Sequence, residues 1–255
     1  MFSNRILQAL TALSLLATTP FAFGQETAPR RTPWRVRVEG GAFWQSRNDV
    51  AVPGDTGTRF SLSDLTGSGP SPIVRLGLDW DVTERNGLRF TYAPIRTDGT
   101  GTLGQPTDFN GTTFAPGDAT GRYQFDTYRL TWRYRFWHDD RWTWRAGLTG
   151  LLRDASIELE QGGISSTKSN TGFVPLLHVD GEWRFAPRWN LVADLDAAAA
   201  SQGRAIDLLV EAGYDISDTW RVSAGYRGIE GGADNDEVYS FAFIHSAIVA
   251  VTARF

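Results

Sequence analysis

Thr127-Tyr128-Arg129-Leu130-Thr131-Trp132-Arg133-Tyr134-Arg135-Phe136 is the stretch that decides the fold. In an extended chain successive side chains point to opposite faces, so Tyr128, Leu130, Trp132, Tyr134 and Phe136 share one side. Thr127, Arg129, Thr131, Arg133 and Arg135 share the other. A helix would mix the two sets; only a strand separates an aromatic face from a cationic one.

Nine further segments carry the same alternation, for ten in all. Upstream, Trp34, Val36, Val38, Ala42 and Trp44 oppose Arg35, Arg37 and Glu39. Val74, Leu76, Leu78, Trp80 and Val82 oppose Arg75, Asp79 and Asp81, and a turn at Asn86-Gly87 leads into Leu88, Phe90 and Tyr92. Downstream, Trp142, Trp144, Ala146 and Leu148 follow His138-Asp139-Asp140-Arg141. Leu177, Val179, Trp183 and Phe185 then oppose His178, Asp180, Glu182 and Arg184. Leu191, Ala193 and Leu195 oppose Asp194 and Asp196, and Ile206, Leu208, Val210, Ala212 and Tyr214 oppose Asp207, Glu211 and Asp215. Trp220, Val222, Ala224 and Tyr226 form the ninth segment, and the tenth ends at Phe255. Its phase is the weakest, because Ile244, Ile248, Val249 and Val251 do not sort onto one face.

The N-terminus has a different character. Arg5, an apolar run from Ile6 to Ala17 and the small-residue spacing Ala22-Phe23-Gly24 have the layout of a secretory signal over 1–24. A short periplasmic segment, 25–33, then precedes a barrel over 34–255. The apolar run is too short to span a bilayer as a helix, and no later window supplies the roughly 18–20 apolar residues one needs. The chain has no cysteine, which excludes disulfides and a lipid-bearing cysteine after the signal. Without the leader the chain carries 24 basic and 29 acidic residues, a formal charge of −5. Nucleic-acid binders show the opposite balance.

Soluble β-sandwiches also alternate. Here, however, the apolar face is aromatic at one end of each strand, next to four short turns near 84–87, 138–141, 186–188 and 217–219. Long stretches near 47–70 and 97–120 lie at the other end. Short periplasmic turns, longer external loops and aromatic girdles are features of transmembrane barrels. The expectation is therefore an all-β, up-and-down antiparallel transmembrane barrel of ten strands, with eight as the alternative and both termini periplasmic. Trp34, Trp80, Phe136, Trp142, Trp183, Trp189 and Trp220 form its expected girdle.

In outline the chain resembles the small outer-membrane β-barrel proteins of the Gram-negative cell envelope, OmpA-like and porin-like barrels. The resemblance rests on Thr58–Gly67, the hairpin from Arg75 to Ile95, Phe109–Gly117 and Tyr128–Phe136. It implies an outer-membrane location, contacts with membrane lipid and lipopolysaccharide, and handling by the barrel-assembly machinery, for which Phe255 resembles the terminal signal. It identifies no catalytic residue, and the chain is expected to be a monomer without a cofactor.

Inside such a barrel the polar faces bring together Arg35, Arg37, Glu39, Arg75, Asp79, Asp81, Arg129, Arg133, Arg135, Arg145, Asp180, Glu182, Arg184, Asp194, Asp196, Glu211, Arg221 and Arg227. Arg89, Asp207 and Asp215 join them. Ten strands enclose little more than their own side chains, so this mixed-sign lumen is expected to close into ion pairs. The role expected is structural or surface interaction, with a narrow porin-like channel as the alternative and an outer-membrane hydrolase as the second.

Candidates for catalysis are few. His178 and Asp180 share a face, but no serine is placed with them; His245 and Ser246 are neighbours in a strand and point apart. His138 lies in a short turn. No metal site is assigned, although Asp234, Asp236 and Glu237 form an acidic loop. The glycines between Gly99 and Gly104 lack the strand-to-helix setting of a phosphate loop.

Overall fold

The computed structural model describes residues 33–255. The expected signal over 1–24 and all but the last residue of the 25–33 segment lie outside the described residues. Ten long strands run antiparallel in chain order: β1 (Trp34–Ala51), β3 (Ser71–Asp81), β4 (Asn86–Leu103), β7 (Gly117–His138), β8 (Trp142–Gln161), β9 (Ile164–Ala186), β10 (Trp189–Ala200), β11 (Gly203–Asp215), β12 (Trp220–Asn235) and β13 (Val238–Arg254). The last pairs with the first, from Arg35 opposite Arg254 to Ala51 opposite Tyr239, so the sheet closes. The eight-strand alternative is thereby excluded. Beyond the ladder, the Phe255 amide donates to the Trp34 carbonyl at 2.9 Å, sealing the seam at its lower end.

Four turns of two to four residues close the end at which β1 begins and β13 finishes. At the turn after β7, Asp139 accepts hydrogen bonds from the backbone amides of Arg141 and Trp142 and from the Trp137 indole, and these donors lower the Asp139 carboxyl below its usual range. The opposite end departs from expectation. Of its five connections only two are long; β8–β9, β10–β11 and β12–β13 turn in two residues each. Gly162 and Gly163, at φ 60° and 84°, supply the two left-handed positions that such a tight hairpin needs. Residues 47–51, 97–103 and 117–120, expected as loop, are strand. There the few apolar side chains that face inward, Val50, Leu103 and Ala119, are set among glycines, threonines and aspartates, so the sequence loses its alternation while the backbone ladder continues.

The two long connections fold into the barrel mouth. β2 (Phe60–Ser61) pairs with β1, and the short helix α1 (Ser63–Thr66) inserts between the walls. β5 (Thr107–Phe109) and β6 (Thr112–Phe114) make a small hairpin beside it. Val52, Leu62, Leu65, Phe109 and Phe114 from these segments pack against Phe43, Ile73, Ile95, Leu103, Tyr123, Leu159 and Ile244 of the wall. Burial of each large apolar side chain contributes about 1.5–3 kcal/mol. The weak phase of β13 follows from apolar residues on both faces: Ile244 packs against the plug and Ile248 is buried on the inward side, while Val249 and Val251 are exposed on the outer one.

The glycines of the 99–104 stretch have a steric role here. A Cβ at Gly99 would lie 2.7 Å from the Leu65 carbonyl oxygen, and one at Gly101 would collide with the Asp64 carbonyl. Gly101→Val is expected to dislodge α1 and destabilise the barrel by about 1–3 kcal/mol, read by urea unfolding in lipid vesicles. An unchanged midpoint would mean that α1 does not occupy the mouth.

Candidate functional site

The barrel wall carries two groups of polar side chains with organised geometry, one inside and one outside. The inner group is layered. Nearest the short turns, Arg35 grips both oxygens of Asp81 at 2.7 and 2.9 Å, and Arg221 joins Asp215 at 2.7 Å to Glu182 at 2.9 Å. Above them, Asp79 lies between Arg89, at 3.0 Å, and Arg133, while Arg89 also reaches Asp194 at 2.5 Å and Arg145 reaches Asp180 at 2.6 Å. Higher still, Arg37 binds Glu211 at 2.6 Å, and Arg227 links Glu39 at 3.0 Å to Asp207 at 2.7 Å. Asp207 also meets Arg75 at 2.9 Å and Arg129 at 2.7 Å, and Arg129 reaches Asp196 at 3.0 Å.

Arg75–Asp207, Arg129–Asp207, Arg89–Asp194 and Arg37–Glu211 cross the barrel, joining strands that are not neighbours, while Arg35–Asp81, Arg145–Asp180 and Arg221–Asp215 tie adjacent strands together. An unpaired ion in such surroundings costs several kcal/mol, and Glu39 and Arg133 are only 1% and 2% exposed. Arg135 borders a small recess with Asp81 and Arg145. Arg184, grouped with the lumen charges by its phase, stands exposed at the rim instead, because β9 ends two residues later and the enclosing wall with it. What space remains between the layers is a cavity of about 80 Å³, bordered by Arg75, Asp79, Arg89, Arg129, Asp194 and Glu211 among others. At about 10–15 Å³ each, that holds several waters.

His178 is buried within this lattice, its Nδ1 2.8 Å from Asp196 and its Nε2 3.1 Å from Asp180. His178, Asp180 and Asp194 bring potential metal-ligand atoms within 4.8 Å of one another. Arg145 and Arg89 already occupy the two carboxylates, so the donor set belongs to ion pairs. His138 pairs with Thr143 at 2.9 Å at the turn.

On the outside, the short-turn end carries a belt of exposed aromatics. Trp34 stacks on Trp80 at 5.1 Å. Trp142 stacks on Trp183 at 5.4 Å, and the series continues through Phe185 and Trp189 to Tyr214. Phe136, Trp220 and Phe255 are exposed at the same end. Above the belt the outward side chains are Val36, Val38, Leu76, Leu130, Leu208, Val222, Val249 and their neighbours. An apolar exterior around a charged interior, on a sheet without edges, inverts the plan of a soluble protein and suits hydrocarbon. The chain is a ten-stranded β-barrel of the outer-membrane type.

No protein-family model matches the chain, and no curated protein matches its sequence. Among solved structures, the outer membrane protease OmpT from Escherichia coli is 10% identical over 90% of this chain and 99% of its own, with a TM-score of 0.49. Neisserial surface protein A is 10% identical over 88% of this chain and 97% of its own, TM-score 0.39. The translocator domain of the autotransporter NalP from Neisseria meningitidis is 11% identical over 98% and 94%, TM-score 0.38. No activity carries over from likenesses of this degree.

The outer group sits where the barrel closes. His245 on β13 and Ser246 point to opposite faces, His245 outward and Ser246, 1% exposed, inward. A different serine reaches the imidazole. The β1–β13 register slips between Gln45 and Arg47, so Ser46 bulges from the ladder and its Oγ comes 2.9 Å from His245 Nε2. From β12, the Tyr226 hydroxyl meets His245 Nδ1 at 2.6 Å. Sequence reading confined to neighbours along one strand cannot find this cluster, whose members lie at positions 46, 226 and 245. The available signal is the closure of the first strand on the last.

Replacing Arg227 by Met is expected to remove about 3–5 kcal/mol from the unfolding free energy, since Glu39 and Asp207 lose the cation that joins them. Urea titration in vesicles reads it; a loss below about 1 kcal/mol would mean that water, not arginine, compensates these carboxylates.

Proposed function

We propose that this protein is a closed, monomeric outer-membrane barrel that works at its outward and surface faces and does not conduct through its lumen. The observation that carries the reading is the pairing of two seals: the cross-barrel ion pairs through the middle and the apolar plug in the mouth. A solute path would have to cross both. The short-turn end is assigned to the periplasm and the plugged end to the exterior, following the length asymmetry of barrel connections. Phe255 is the proposed assembly signal, and residues 1–24 the export leader. In this reading the lumen does no chemistry, because His178 and its neighbouring carboxylates are engaged in the lattice.

The outer rim fits anionic lipid, lipopolysaccharide included. Arg47 and Arg204 stand 5.3 and 5.1 Å from the ring of Phe241, and Arg59 lies over Tyr239. Against these three cations the patch sets Asp49 and Glu230. Cations over aromatic rings at a membrane surface suit phosphate-bearing headgroups.

Planar-bilayer recording of the refolded protein tests the closed lumen. Neither the wild type nor the Arg133→Ala/Arg135→Ala double variant is expected to show conductance steps, while Leu62→Asp/Leu65→Asp, which breaks the plug, is expected to admit intermittent ones. Steady wild-type conductance whose ion selectivity changes in the arginine variant would establish the narrow channel instead.

A further inference from the structure

The outer seam carries a constellation that the closed-lumen reading leaves without a task. Ser46 is exposed and out of the ladder, with its Oγ nearer to His245 Nε2, at 2.9 Å, than to the Phe243 carbonyl, at 3.4 Å. The imidazole is fixed from two further sides. Phe243 packs on it with ring centroids 4.1 Å apart, and the Tyr226 hydroxyl engages Nδ1. Tyr226 reaches it by lying across Gly228, the residue opposite His245 on β12; a Cβ at Gly228 would come 3.1 Å from the phenol oxygen. Hydroxyl, imidazole and a third group orienting the imidazole are the parts of an activated serine.

The cluster's height selects a substrate. His245 lies ten residues before Phe255, which stands in the aromatic belt. At about 3.4 Å per residue and a tilt near 40° it sits roughly 26 Å above that belt, the full height of an apolar band of about 25 Å. The site therefore meets the outer leaflet where acyl chains join their headgroups. Below it are Ala247 and Val249, exposed to hydrocarbon, and above it along the same face come Phe243, Phe241 and Tyr239 with the Arg47, Arg59 and Arg204 patch.

We infer that Ser46, His245 and Tyr226 form a lipid-facing site that hydrolyses acyl esters of anionic outer-leaflet lipids, with the arginine patch holding the headgroup. This rests on the outer-face reading above and goes beyond it. Ser46 Oγ attacks the ester carbonyl carbon while His245 Nε2 takes its proton; Tyr226 accepts the Nδ1–H and keeps that tautomer. Collapse breaks the bond to the alcohol oxygen, which receives the proton from His245 and leaves, and the acyl group remains on Ser46. Water from the headgroup region, deprotonated by His245, attacks the acyl carbon, and the fatty acid departs as Ser46 regains its proton. Ester and water become alcohol and acid. Ser46 and His245 are the catalytic residues, and Tyr226 is a positioning residue.

The refolded full barrel is assayed in vesicles for fatty-acid release from phosphatidylglycerol, from purified lipopolysaccharide and from a p-nitrophenyl acyl ester, with fluorophosphonate labelling mapped by mass spectrometry. Release from at least one substrate and a label on Ser46 are expected, both lost in Ser46→Ala. His245→Asn is expected to lower turnover by at least about 100-fold. Tyr226→Phe is expected to lower turnover less and to shift the pH profile, which a merely structural tyrosine would not. Comparison of the two lipid arms tells a glycerophospholipid from an acylated saccharide. No release from any ester by correctly folded protein, labelled or not, overturns the inference, as does release that survives Ser46→Ala. Such failure leaves the closed lumen standing, since conductance tests that separately.

Discussion

Hydrocarbon offers no partner to a backbone N–H or C=O, and that single constraint organises this molecule. A sheet can meet it only by having no edge. The β1–β13 pairing closes the ring, and everything else is arranged around the cylinder that results. The exterior must be apolar along the band, so the alternating polar residues have no place but the lumen. The lumen is narrow, so its charges must find one another. The ion-pair lattice is thus the consequence of closing a strand-alternating sheet in lipid, and it binds opposite walls together in turn.

Closure also creates neighbours that the sequence keeps far apart. Arg37 and Glu211, Arg227 and Glu39, and Ser46 with Tyr226 and His245 all meet because the first strand lies beside the last. The slip at Ser46 is a local irregularity in an otherwise continuous seam. Bulges re-aim side chains, and this one turns a hydroxyl toward an imidazole on the neighbouring strand.

The lower half of the barrel is legible in sequence because its two faces meet opposite media: Tyr128-Arg129-Leu130 can be read only one way in or out. The upper half is not, for a physical reason. Above the band the outer face meets water while the inner face meets the apolar plug, so the rule of apolar-out fails at Ile157, Leu159 and Ile244. Residues of the long connections such as Leu62, Leu65 and Phe114 read as loop because nothing local says that they turn inward. The charged lumen residues were visible as a set, yet their pairing depends on shear and on which strands face across the barrel. Arg184 shows the limit of phase alone, since the wall ends before its side chain is enclosed.

The chain fills its own mouth, with α1 docked against β4 and β7. It has no native cysteine, and Leu65 Cβ lies 3.0 Å from where Gly121 would carry a Cβ, so an outward shift of α1 of about half an ångström or more brings the pair to the roughly 3.5–4.5 Å that a disulfide spans. The most direct measurement is disulfide formation in the Leu65→Cys/Gly121→Cys variant, refolded in vesicles and mapped by non-reducing mass spectrometry. Rapid, near-complete formation in a fully folded barrel is expected. A folded barrel whose two thiols stay free under mild oxidation would contradict it, and the mouth would then stand open above the ion pairs.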